Sequence, residues 1–530
     1  MTRASSNAAR RLFLGVDIGT SSAKALLLDA RGHVAAQADA GYPLQTPCPG
    51  WTEQEPEDWW RGTLRAVRAV LRAARARGGD VAGIGLAGQM HGSVFLDASH
   101  RVLRPALLWN DQRTSAECDE IVERAGGARA LTRFVNNAAL TGFTAPKILW
   151  LRRHEPRRFA KLARVLLPKD YVRWRLTNEF ASDVSDASGT LLLDIARRTW
   201  CRPLIDRLGL DKALFPPLLE SCEIAGVLTT PAARALGLTA GTPVVAGAGD
   251  QPAAAVGMGI VAPGLSSATI GTSGVVFAAT RAMAPNADGV LQSFCHAVPQ
   301  AWCVFGCMLA AGGALEWARR VLYHDDADSR VFDRMIADAA RSPAASDAPL
   351  FLPYLDGERC PHPDPAARAA WVGLARHHDR PALARAVLEG ITFGMADQVR
   401  LLRELGLRVG EVRCAGGGAR SEFWLRLQAN AYNAVATTVN TEHASALGAA
   451  ILAGVGAREW RSVGEACRLV VRITKRIRPT TTQVACSRAR HDKYRALYVS
   501  VARVFAITRA RQRRARTNRS HKKARPPRRR

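Results

Sequence analysis

Residues 13–29 read FLGVDIGTSSAKALLLD, and residues 268–280 read ATIGTSGVVFAAT. Each stretch consists of an apolar strand, the four residues IGTS and a second apolar strand, which predicts a β-hairpin. The two copies lie about half the chain apart. We therefore predict two related domains, each opening with a hairpin whose Gly-Thr-Ser turn faces a cleft.

The chemistry of these turns suits phosphate. Glycine lets a backbone approach a ligand closely, and successive N–H groups in a tight turn form an anion-binding concavity. Threonine and serine add hydroxyl donors. Two such turns predict a site that grips one polyphosphate from both domains, whereas either turn alone would favour an ordinary hairpin with a polar turn.

Strands and helices alternate between and beyond the two hairpins, which predicts an α/β architecture. Two apolar strands surround GQMHG within residues 81–97. Helical spacing of apolar residues predicts helices at 58–75, 168–178, 379–405, 443–456 and 491–505.

Composition sets the class of protein. The chain has 530 residues, 48% of them hydrophobic and 23% charged, which is ordinary for a globular protein of several domains. No apolar run approaches the roughly 18 residues that span a bilayer, so we expect no membrane segment and a cytoplasmic location.

The eleven cysteines are scattered and odd in number, which favours free thiols. Cys295, His296, Cys303 and Cys307 alternate with apolar residues, and we expect a buried core rather than a metal site.

The net charge is +28, and the C-terminal segment has the highest density of positive charge. Residues 509–530 contain twelve Lys and Arg and no acidic residue, and the rest of the chain carries +16. We predict a disordered basic tail over residues 507–530. Two interpretations stay open, a solvated appendage and a segment that binds nucleic acid through phosphate contacts.

A third glycine-rich turn follows a predicted strand in RCAGGGARSEFW (413–424). The strand, turn and helix order places backbone amides and a helix N-terminus against a ligand. The stretch is neither a phosphate-binding P-loop of the GxxxxGK[ST] type nor a GxGxxG dinucleotide fingerprint. Both of those nucleotide-site types are therefore disfavoured.

Taken together, these motifs resemble the FGGY family of carbohydrate kinases, in order from about residue 12 to about residue 505. Within the family, GQMHG, WNDQR (109–113) and residues 166–190 are most similar to the bacterial xylulokinases. The segments that carry the resemblance are DIGTSSAK (17–24), GWTEQEPEDWW (50–60), GQMHG (88–92), LLWNDQR (107–113), GFTAPKILWLRRHEP (142–156), LLPKDYVRWRLTNEFASDVSDASGT (166–190), GAGDQ (247–251), TIGTSG (269–274), LPYLDGERCPH (352–362) and AGGGARSEFW (415–424).

The resemblance implies two actin-like, ribonuclease-H-like domains with an ATP and sugar cleft between them. We place the N-terminal domain, which binds the sugar and carries the first phosphate hairpin, at 11–258. The adenosine-binding C-terminal domain is expected at 259–506. The implied co-substrate is ATP with Mg²⁺.

Asp250 matches the family's catalytic base, which would take a proton from a sugar hydroxyl as it attacks the γ-phosphorus. From its surroundings alone, Asp250 would more often be a helix N-cap. Asp17 matches the acidic residue of the first hairpin and would hold Mg²⁺ through water, whereas a strand-end aspartate is its plain alternative. The resemblance also implies phosphate contacts for Thr20, Ser21, Gly271, Thr272 and Ser273.

Met90 and His91 match residues that line the sugar pocket in xylulokinases. Arg113 and Asp186 are weaker candidates for the same pocket, and an ion pair at the domain edge explains Arg113 equally well. Xylulokinases usually carry asparagine after the catalytic aspartate, where its amide contacts the sugar, whereas this chain has Gln251. The extra methylene changes the reach of that amide and leaves the identity of the sugar open.

On the nucleotide side, Gly416, Gly417 and Gly418 match the adenosine-binding turn. Trp317 and Ser421 would border the adenine, although a tryptophan at helical spacing is also typical of a core position.

The implied function is ATP-dependent phosphorylation of a ketopentose, with D-xylulose favoured. Another ketose, a polyol or a sugar acid is the alternative substrate. A non-catalytic sugar or nucleotide sensor that acts through the basic tail is the rival from a different class, and the presence of both Asp17 and Asp250 counts against it. The assembly is left open, and a homodimer is compatible with the resemblance.

Overall fold

Strands and helices alternate along most of the chain, as expected for an α/β protein. The structure, a computed structural model, describes residues 10–286, 288–323, 330–343 and 347–523, with side chains described up to Phe505. The strands are β1 Leu12–Ile18, β2 Ser22–Asp29, β3 Val34–Gly41, β4 Glu53–Gln54, β5 Val81–Gly88, β6 Val94–Leu96, β7 Ala106–Leu107, β8 Arg164–Leu166, β9 Ser182–Asp183, β10 Leu193–Asp194, β11 Thr199–Trp200, β12 Leu218–Leu219, β13 Ile224–Val227, β14 Pro243–Val245, β15 Ala248–Gly249, β16 Leu265–Ile270, β17 Gly274–Thr280, β18 Gln292–Cys295, β19 Trp302–Met308, β20 Leu350–Leu352, β21 Ala370–Val372, β22 Glu411–Gly416, β23 Val435–Val439 and β24 Ile473–Ile477.

The helices are α1 Pro56–Ala74, α2 Ser115–Ala125, α3 Ala128–Val135, α4 Thr144–His154, α5 Pro156–Phe159, α6 Pro168–Thr177, α7 Val184–Ala187, α8 Arg202–Arg207, α9 Thr230–Leu236, α10 Asp250–Gly257, α11 Gly312–Leu322, α12 Val331–Arg341, α13 Arg380–Glu404, α14 Glu422–Tyr432, α15 Ala444–Gly456, α16 Val463–Val470 and α17 Thr481–Lys523. Short 3-10 helices lie at Gly78–Asp80, Ser188–Thr190, Lys212–Leu214 and Gly417–Ala419.

The described residues group into two compact units. Unit 1 takes in residues up to 265 together with 277–304 and 439–473, and unit 2 takes in 266–276, 305–438 and the residues from 474 onward. Each unit is therefore assembled from three separate segments of the chain.

Unit 1 contains a mixed sheet in the order β13-β14-β5-β1-β2-β3. β14 pairs with β5 at Ile84, and β15 pairs with the same strand further along, at Ala87 and Gly88. The predicted first hairpin is present, since β1 and β2 pair antiparallel along their whole length. β5 runs parallel to β1, β14 and β15. Helix α1 packs its buried Trp59 and Trp60 into the apolar cluster on one face of this sheet.

Helix α15 covers the opposite face of the unit 1 sheet, although it lies far along the chain. Its alanine-rich surface joins a buried cluster with Phe13 and Leu26. A Cβ atom on Gly15 would lie 2.0 Å from the carbonyl oxygen of Ala446, and one on Gly85 would lie 2.0 Å from that of Ala449. Glycines on two neighbouring strands thus let the helix backbone lie directly on the sheet.

The second seven-stranded sheet has the order β18-β19-β17-β16-β22-β23-β24, and its middle strands β16, β22 and β23 fall mainly in unit 2. β16 and β17 form the second predicted hairpin. The largely buried helix α13 spans 25 residues, and the side chain of Asp379 caps its start by accepting a hydrogen bond from Ala382 N. An aromatic cluster of Tyr354, Phe393, Tyr494 and Tyr498 joins α17 to this core.

The last helix, α17, begins at Thr481 and not at 491 as predicted. The predicted tail, 507–530, starts within the bounds of α17, and its residues 524–530 lie outside the described part of the chain. The disorder of the tail stays a prediction.

In the part of the chain that the structure describes, no helix is both long enough and apolar enough to cross a bilayer. All eleven cysteines are free thiols, as predicted. Cys295, His296 and Cys303 are fully buried. Among the described residues, the group of side chains close enough to share a metal ion is instead Asp347, His377 and His378, which lie mainly exposed.

Candidate active site

Asp17 and Asp250 are carried to the same end of the unit 1 sheet. Ala87 of β5 pairs with Asp17 of β1 on one side and with Ala248 of β15 on the other. Asp250 follows directly after β15, as the first residue of α10. The carboxyl ends of adjacent parallel strands are a common position for ligand sites in α/β sheets.

Asp250 has the properties of a proton acceptor near neutral pH. Burial, followed by the negative charge of Asp17, raises the pKa of Asp250 to about 7, although hydrogen bonds from the backbone and side chain of Gln251 act in the opposite direction. A carboxyl group with a pKa near the working pH is well matched to general-base catalysis. The N-cap of α10 is Gly249, and no side chain caps that helix. Asp250 is thus the first helical residue and does not act as the cap.

Gln251 turns its side-chain amide to the Asp250 carboxylate. The residue was predicted to contact the sugar, and that contact stays a prediction. The hydrogen bonds from Gln251 lower the pKa of Asp250 and so oppose in part the effect of burial and of Asp17.

Asp17 is buried in β1. Burial raises the pKa of Asp17, and the positive charge of Lys24, its cross-strand partner in β2, lowers it. Oδ1 of Asp17 is buried and has no hydrogen-bond partner within the described residues. A buried carboxylate oxygen that no protein donor satisfies suits a hydrated cation, and oxygen ligands are those that Mg²⁺ prefers.

The turn after β1 is held from several sides. Oγ1 of Thr20 accepts a hydrogen bond from Trp109 Nε1 at 3.0 Å and donates one to Gln89 Oε1 at 3.3 Å. Gln54 Nε2 donates to the carbonyl oxygen of Thr20 at 2.7 Å. Ser21 is exposed. Sequence reasoning missed Gln54, Gln89 and Trp109 as supports of this turn, although all three lie in the quoted motifs.

Met90 and His91 follow β5, and Met90 lies beside the Asp250 turn. A Cβ atom on Gly249 would lie 2.7 Å from Cε of Met90, so that side chain packs on the residue preceding Asp250. His91 has a φ of +69°, in the left-handed region that non-glycine residues rarely adopt. The rings of Phe143 and Phe294 lie edge-on to its imidazole, with centroids at 4.8 and 6.0 Å.

The imidazole of His91 is oriented by a backbone carbonyl. Its Nδ1 lies 2.7 Å from the oxygen of Gly189. Because a carbonyl can only accept, Nδ1 carries the hydrogen, and Nε2 has a lone pair when the ring is neutral. The carbonyl of His91 in turn accepts hydrogen bonds from Lys147 Nζ at 2.8 Å and Thr144 Oγ1 at 3.1 Å. Lys147 is another support that the sequence did not reveal.

Arg113 is engaged in ion pairs. Its guanidinium lies 2.7 Å from both Asp111 and Glu53 and stacks over Trp51, with its carbon 3.7 Å from the ring centroid. The side chain is 1% exposed. This arrangement matches the ion-pair alternative for Arg113, and its role as a sugar ligand stays a prediction.

Asp186 lies in a buried cluster with Lys169. Nζ of Lys169 lies 2.6 Å from Asp170, 2.9 Å from Asp183 and 3.3 Å from Asp186. The sequence did not predict Lys169, Asp170 or Asp183, because the two segments that bear them meet only in the folded unit.

The two remaining turns lie together in unit 2. Gly271, Thr272 and Ser273 follow β16, and Gly416, Gly417 and Gly418 follow the neighbouring strand β22. Gly271 and Thr272 accept hydrogen bonds at their carbonyls from Gly312 N at 2.8 Å and from Ala311 and Gly313 N at 3.0 Å, which ties the first turn to the start of α11.

The glycine turn after β22 packs against β16. Gly416 has a φ of +76°, and a Cβ atom there would lie 2.1 Å from the carbonyl oxygen of Ile270. One on Gly418 would lie 2.7 Å from Cδ1 of Ile270, whereas one on Gly417 would meet nothing within 4 Å. Gly417 therefore borders open space, as a ligand-facing position requires.

Trp317 and Ser421 each have a structural contact. The ring of Trp317 packs with Phe351 and Trp371, at centroid distances of 6.1 and 5.4 Å. Ser421 caps α14, since its Oγ accepts a hydrogen bond from Trp424 N at 3.3 Å. Their proposed contacts with adenine stay predictions.

Comparison with known proteins identifies the family. The model of the N-terminal domain of the FGGY family of carbohydrate kinases matches residues 12–257, and that of the C-terminal domain matches 266–457.

The chain belongs to the FGGY family of carbohydrate kinases.

Relatives of this FGGY kinase match it over their full length. The xylulose kinase of Escherichia coli (strain K12) is 39% identical over 496 residues, which cover 93% of this chain and 100% of the relative. The crystal structure of a xyloylose kinase from Brucella ovis has a TM-score of 0.86 at 36% identity and covers 93% of this chain and 100% of its own. That of a gluconate kinase from Lactobacillus acidophilus has a TM-score of 0.87 at 26% identity, with 94% and 100% covered.

These matches confirm the predicted family, the carbohydrate kinase activity and the α/β fold with actin-like, ribonuclease-H-like domains. ATP is the co-substrate that the family implies.

Proposed function

We propose that this FGGY kinase transfers the γ-phosphoryl group of ATP to D-xylulose and forms D-xylulose 5-phosphate. The observation that carries the proposal is its 39% identity with a xylulose kinase over the whole length of that relative. The Asp250 turn and the segment with Met90 and His91 after β5 support it, because they offer a base, an apolar surface and a hydrogen-bonding ring.

Asp250 acts as the general base in this proposal. Its carboxylate accepts the proton of the terminal sugar hydroxyl as that oxygen attacks the γ-phosphorus. The raised pKa of Asp250, about 7, makes the carboxylate a better proton acceptor than an exposed aspartate while leaving much of it ionised near neutral pH. Base catalysis contributes typically 10²- to 10⁴-fold, and positioning and charge stabilisation supply the rest.

Sugar recognition falls to residues around the same turn. Met90 packs against the carbon skeleton, and Nε2 of His91 accepts a hydrogen bond from a sugar hydroxyl because Nδ1 is committed to Gly189. Gln251 and Arg113 complete the proposed sugar contacts.

The two duplicated turns, one with Thr20 and Ser21 and the other with Gly271, Thr272 and Ser273, are proposed for the phosphates of ATP. Such turns offer backbone N–H groups and hydroxyls to phosphate oxygens. Gly416, Gly417, Gly418, Trp317 and Ser421 are proposed for the adenosine end. Asp17 would hold Mg²⁺, in part through water, and the ion would supply charge neutralisation on the phosphates.

A second substrate class has one observation in its favour. The fold matches a gluconate kinase as well as it matches the xyloylose kinase, although at lower identity. Gln251 in place of the usual asparagine also leaves room for another ketose, a polyol or a sugar acid. A non-catalytic sensor that uses the basic tail is the least supported alternative.

The test is a coupled ADP-release assay with the full-length protein over pentuloses, hexuloses, polyols and sugar acids, all at matched concentrations. D-xylulose should give the highest kcat/KM. If the protein phosphorylates a polyol or a sugar acid but not D-xylulose, that compound replaces D-xylulose as the proposed substrate. If it phosphorylates none of the compounds, the non-catalytic sensor is favoured.

We also propose the domain boundaries 11–258 and 259–506, which the two family matches support. The tail 507–530 is proposed as a separate basic segment, and nucleic acid is its candidate partner. A homodimer is the proposed assembly.

A further inference from the structure

Unit 1 buries a cluster of charged side chains next to the proposed base. Lys169, Asp170, Arg173, Asp183 and Asp186 are each 0% exposed. Two cations thus face three carboxyl groups, and one negative charge is left over if all of them ionise. An uncompensated buried charge is costly, and a buried acid in that position keeps its proton instead.

Two of the three carboxyl groups are surrounded by donors. Asp170 accepts hydrogen bonds from Lys169 Nζ at 2.6 Å, Ser182 Oγ at 2.7 Å and Arg173 Nη1 at 2.9 Å. Asp183 lies 2.9 Å from Lys169 Nζ, and it accepts hydrogen bonds from Ser185 N at 2.8 Å and Ser221 Oγ at 2.9 Å. Such sets of donors stabilise the ionised form.

Asp186 has no such set. Its Oδ2 lies 3.3 Å from Lys169 Nζ, and neither of its oxygens has a hydrogen-bond partner among the residues that the structure describes. Burial raises the pKa of Asp186 well above its ordinary value; the charge of Lys169 opposes that shift, and the charges of Asp170, Asp183 and Asp250 add to it. The leftover proton of the cluster therefore belongs on Asp186.

The cluster includes Asp183 and Asp186, which belong to the segment 182–190. This segment contacts two parts of the proposed site, Gly249 and His91. The segment Ser182–Thr190 contains Ser185, whose Oγ accepts a hydrogen bond from Gly249 N at 3.2 Å. The same segment contains Gly189, whose carbonyl oxygen holds Nδ1 of His91. Whatever fixes this segment thus fixes both His91 and the residue preceding Asp250.

We propose that Asp186 is a positioning residue held as a neutral carboxylic acid, so that the cluster fixes His91 and Gly249 without another negative charge beside Asp250. The catalytic part of this statement rests on the proposed function, in which Asp250 is the base. The protonation of Asp186 does not depend on that function.

Two isosteric variants of the full chain test the proposal. Asp186→Asn replaces a neutral acid by a neutral amide of the same shape, whereas the matched control Asp183→Asn removes a carboxylate that accepts hydrogen bonds from Ser185 N, Ser185 Oγ and Ser221 Oγ and lies next to Lys169. Asp186→Asn should melt within about 2 °C of the wild type. Asp183→Asn should melt at least about 5 °C lower.

Infrared spectroscopy detects the protonated carboxyl group of Asp186 directly. At about pH 8, where ordinary carboxyl groups are ionised, the wild type minus Asp186→Asn difference spectrum should show the carbonyl stretch of a protonated carboxylic acid. Taking the difference cancels the band of Glu358, whose pKa burial raises to about 8.

Absence of that band, or an Asp186→Asn variant that melts as low as Asp183→Asn or fails to fold, would overturn the proposal. The band and the melting temperature do not require phosphoryl transfer. If Asp250 is not the base, these two readouts remain as predicted.

Discussion

A Cβ atom placed on Gly189 would lie 2.7 Å from Nδ1 of His91. The same nitrogen hydrogen-bonds to the carbonyl of Gly189. One residue without a side chain therefore both orients the imidazole and leaves room for it.

Gly189→Ala should displace the His91 ring and weaken sugar recognition. We expect kcat/KM for the sugar to fall roughly 10- to 100-fold, because displacements of about 1 Å near a reacting centre have effects of that size. The KM for ATP should not change. Steady-state kinetics with each substrate varied in turn makes the measurement.

The control is Gly410→Ala, where a Cβ atom would meet nothing within 4 Å. It should behave as the wild type. Unchanged sugar kinetics in Gly189→Ala would show that His91 does not recognise the sugar.

Variants at Gly416 and Gly417 distinguish a structural role from a ligand-binding role within one glycine turn. Gly416→Ala should lower the melting temperature and raise the KM for ATP, because its Cβ atom would collide with Ile270 and its φ is +76°. Gly417→Ala should leave the melting temperature within about 2 °C and still raise the KM for ATP, since only a bound nucleotide can meet the new methyl group. If Gly417→Ala leaves the KM for ATP unchanged, the turn does not hold the nucleotide.

A variant at Arg113 tests whether this residue serves as an ion-pair partner or as a sugar ligand. Arg113→Lys keeps the charge but loses the planar contacts to Asp111, Glu53 and Trp51, so we expect a loss of about 2 kcal/mol in the free energy of unfolding. Denaturant melts measure this change, and sugar kinetics are recorded on the folded variant. A sugar KM that rises more than about tenfold at an unchanged stability would favour the ligand role.

The pKa of Asp250 predicts a pH dependence of both rate and stability. Because the base must be ionised, kcat/KM for the sugar should fall tenfold per pH unit as the pH drops below about 7. The folded protein binds this proton more tightly than the unfolded chain, whose group has the ordinary value of 3.8. Asp250 therefore lowers stability progressively as the pH rises from about 4 to about 7.

Asp250→Asn removes that penalty, so its melting temperature should exceed the wild type's at about pH 8 and not at about pH 4. A flat rate profile between about pH 5 and 8 would exclude Asp250 as the group that titrates.

Each of the five helices that local signals in the sequence predict is present in the structure. The helix predicted at 379–405 is α13, Arg380–Glu404, because Asp379 and Pro381 mark its start. The helix predicted at 58–75 is α1, Pro56–Ala74. The start of α17 was missed by ten residues, although Pro479 precedes it and the carbonyl of Thr480 accepts a hydrogen bond from Val484 N in its first turn.

Long-range packing could not be predicted. The sequence identifies α15 as a buried helix, but its place on the unit 1 sheet depends on Gly15 and Gly85, two glycines that look like ordinary strand residues. Likewise, the motif match selects Asp250 and Asp17, but only the pairing of β5 with both neighbouring strands brings them to one edge. Asp183 and Asp186, two of the three carboxyl partners of Lys169, lie beyond the helix predicted at 168–178 and reach Lys169 only in the folded unit.

The central claim is that Asp250 is the base for phosphoryl transfer, and Asp250→Asn tests it most directly. Single-turnover phosphorylation of D-xylulose is measured near pH 8, together with ATP binding by calorimetry. We predict a rate lower by about 10²- to 10⁴-fold with unchanged ATP affinity. A rate within about tenfold of the wild type would contradict the account.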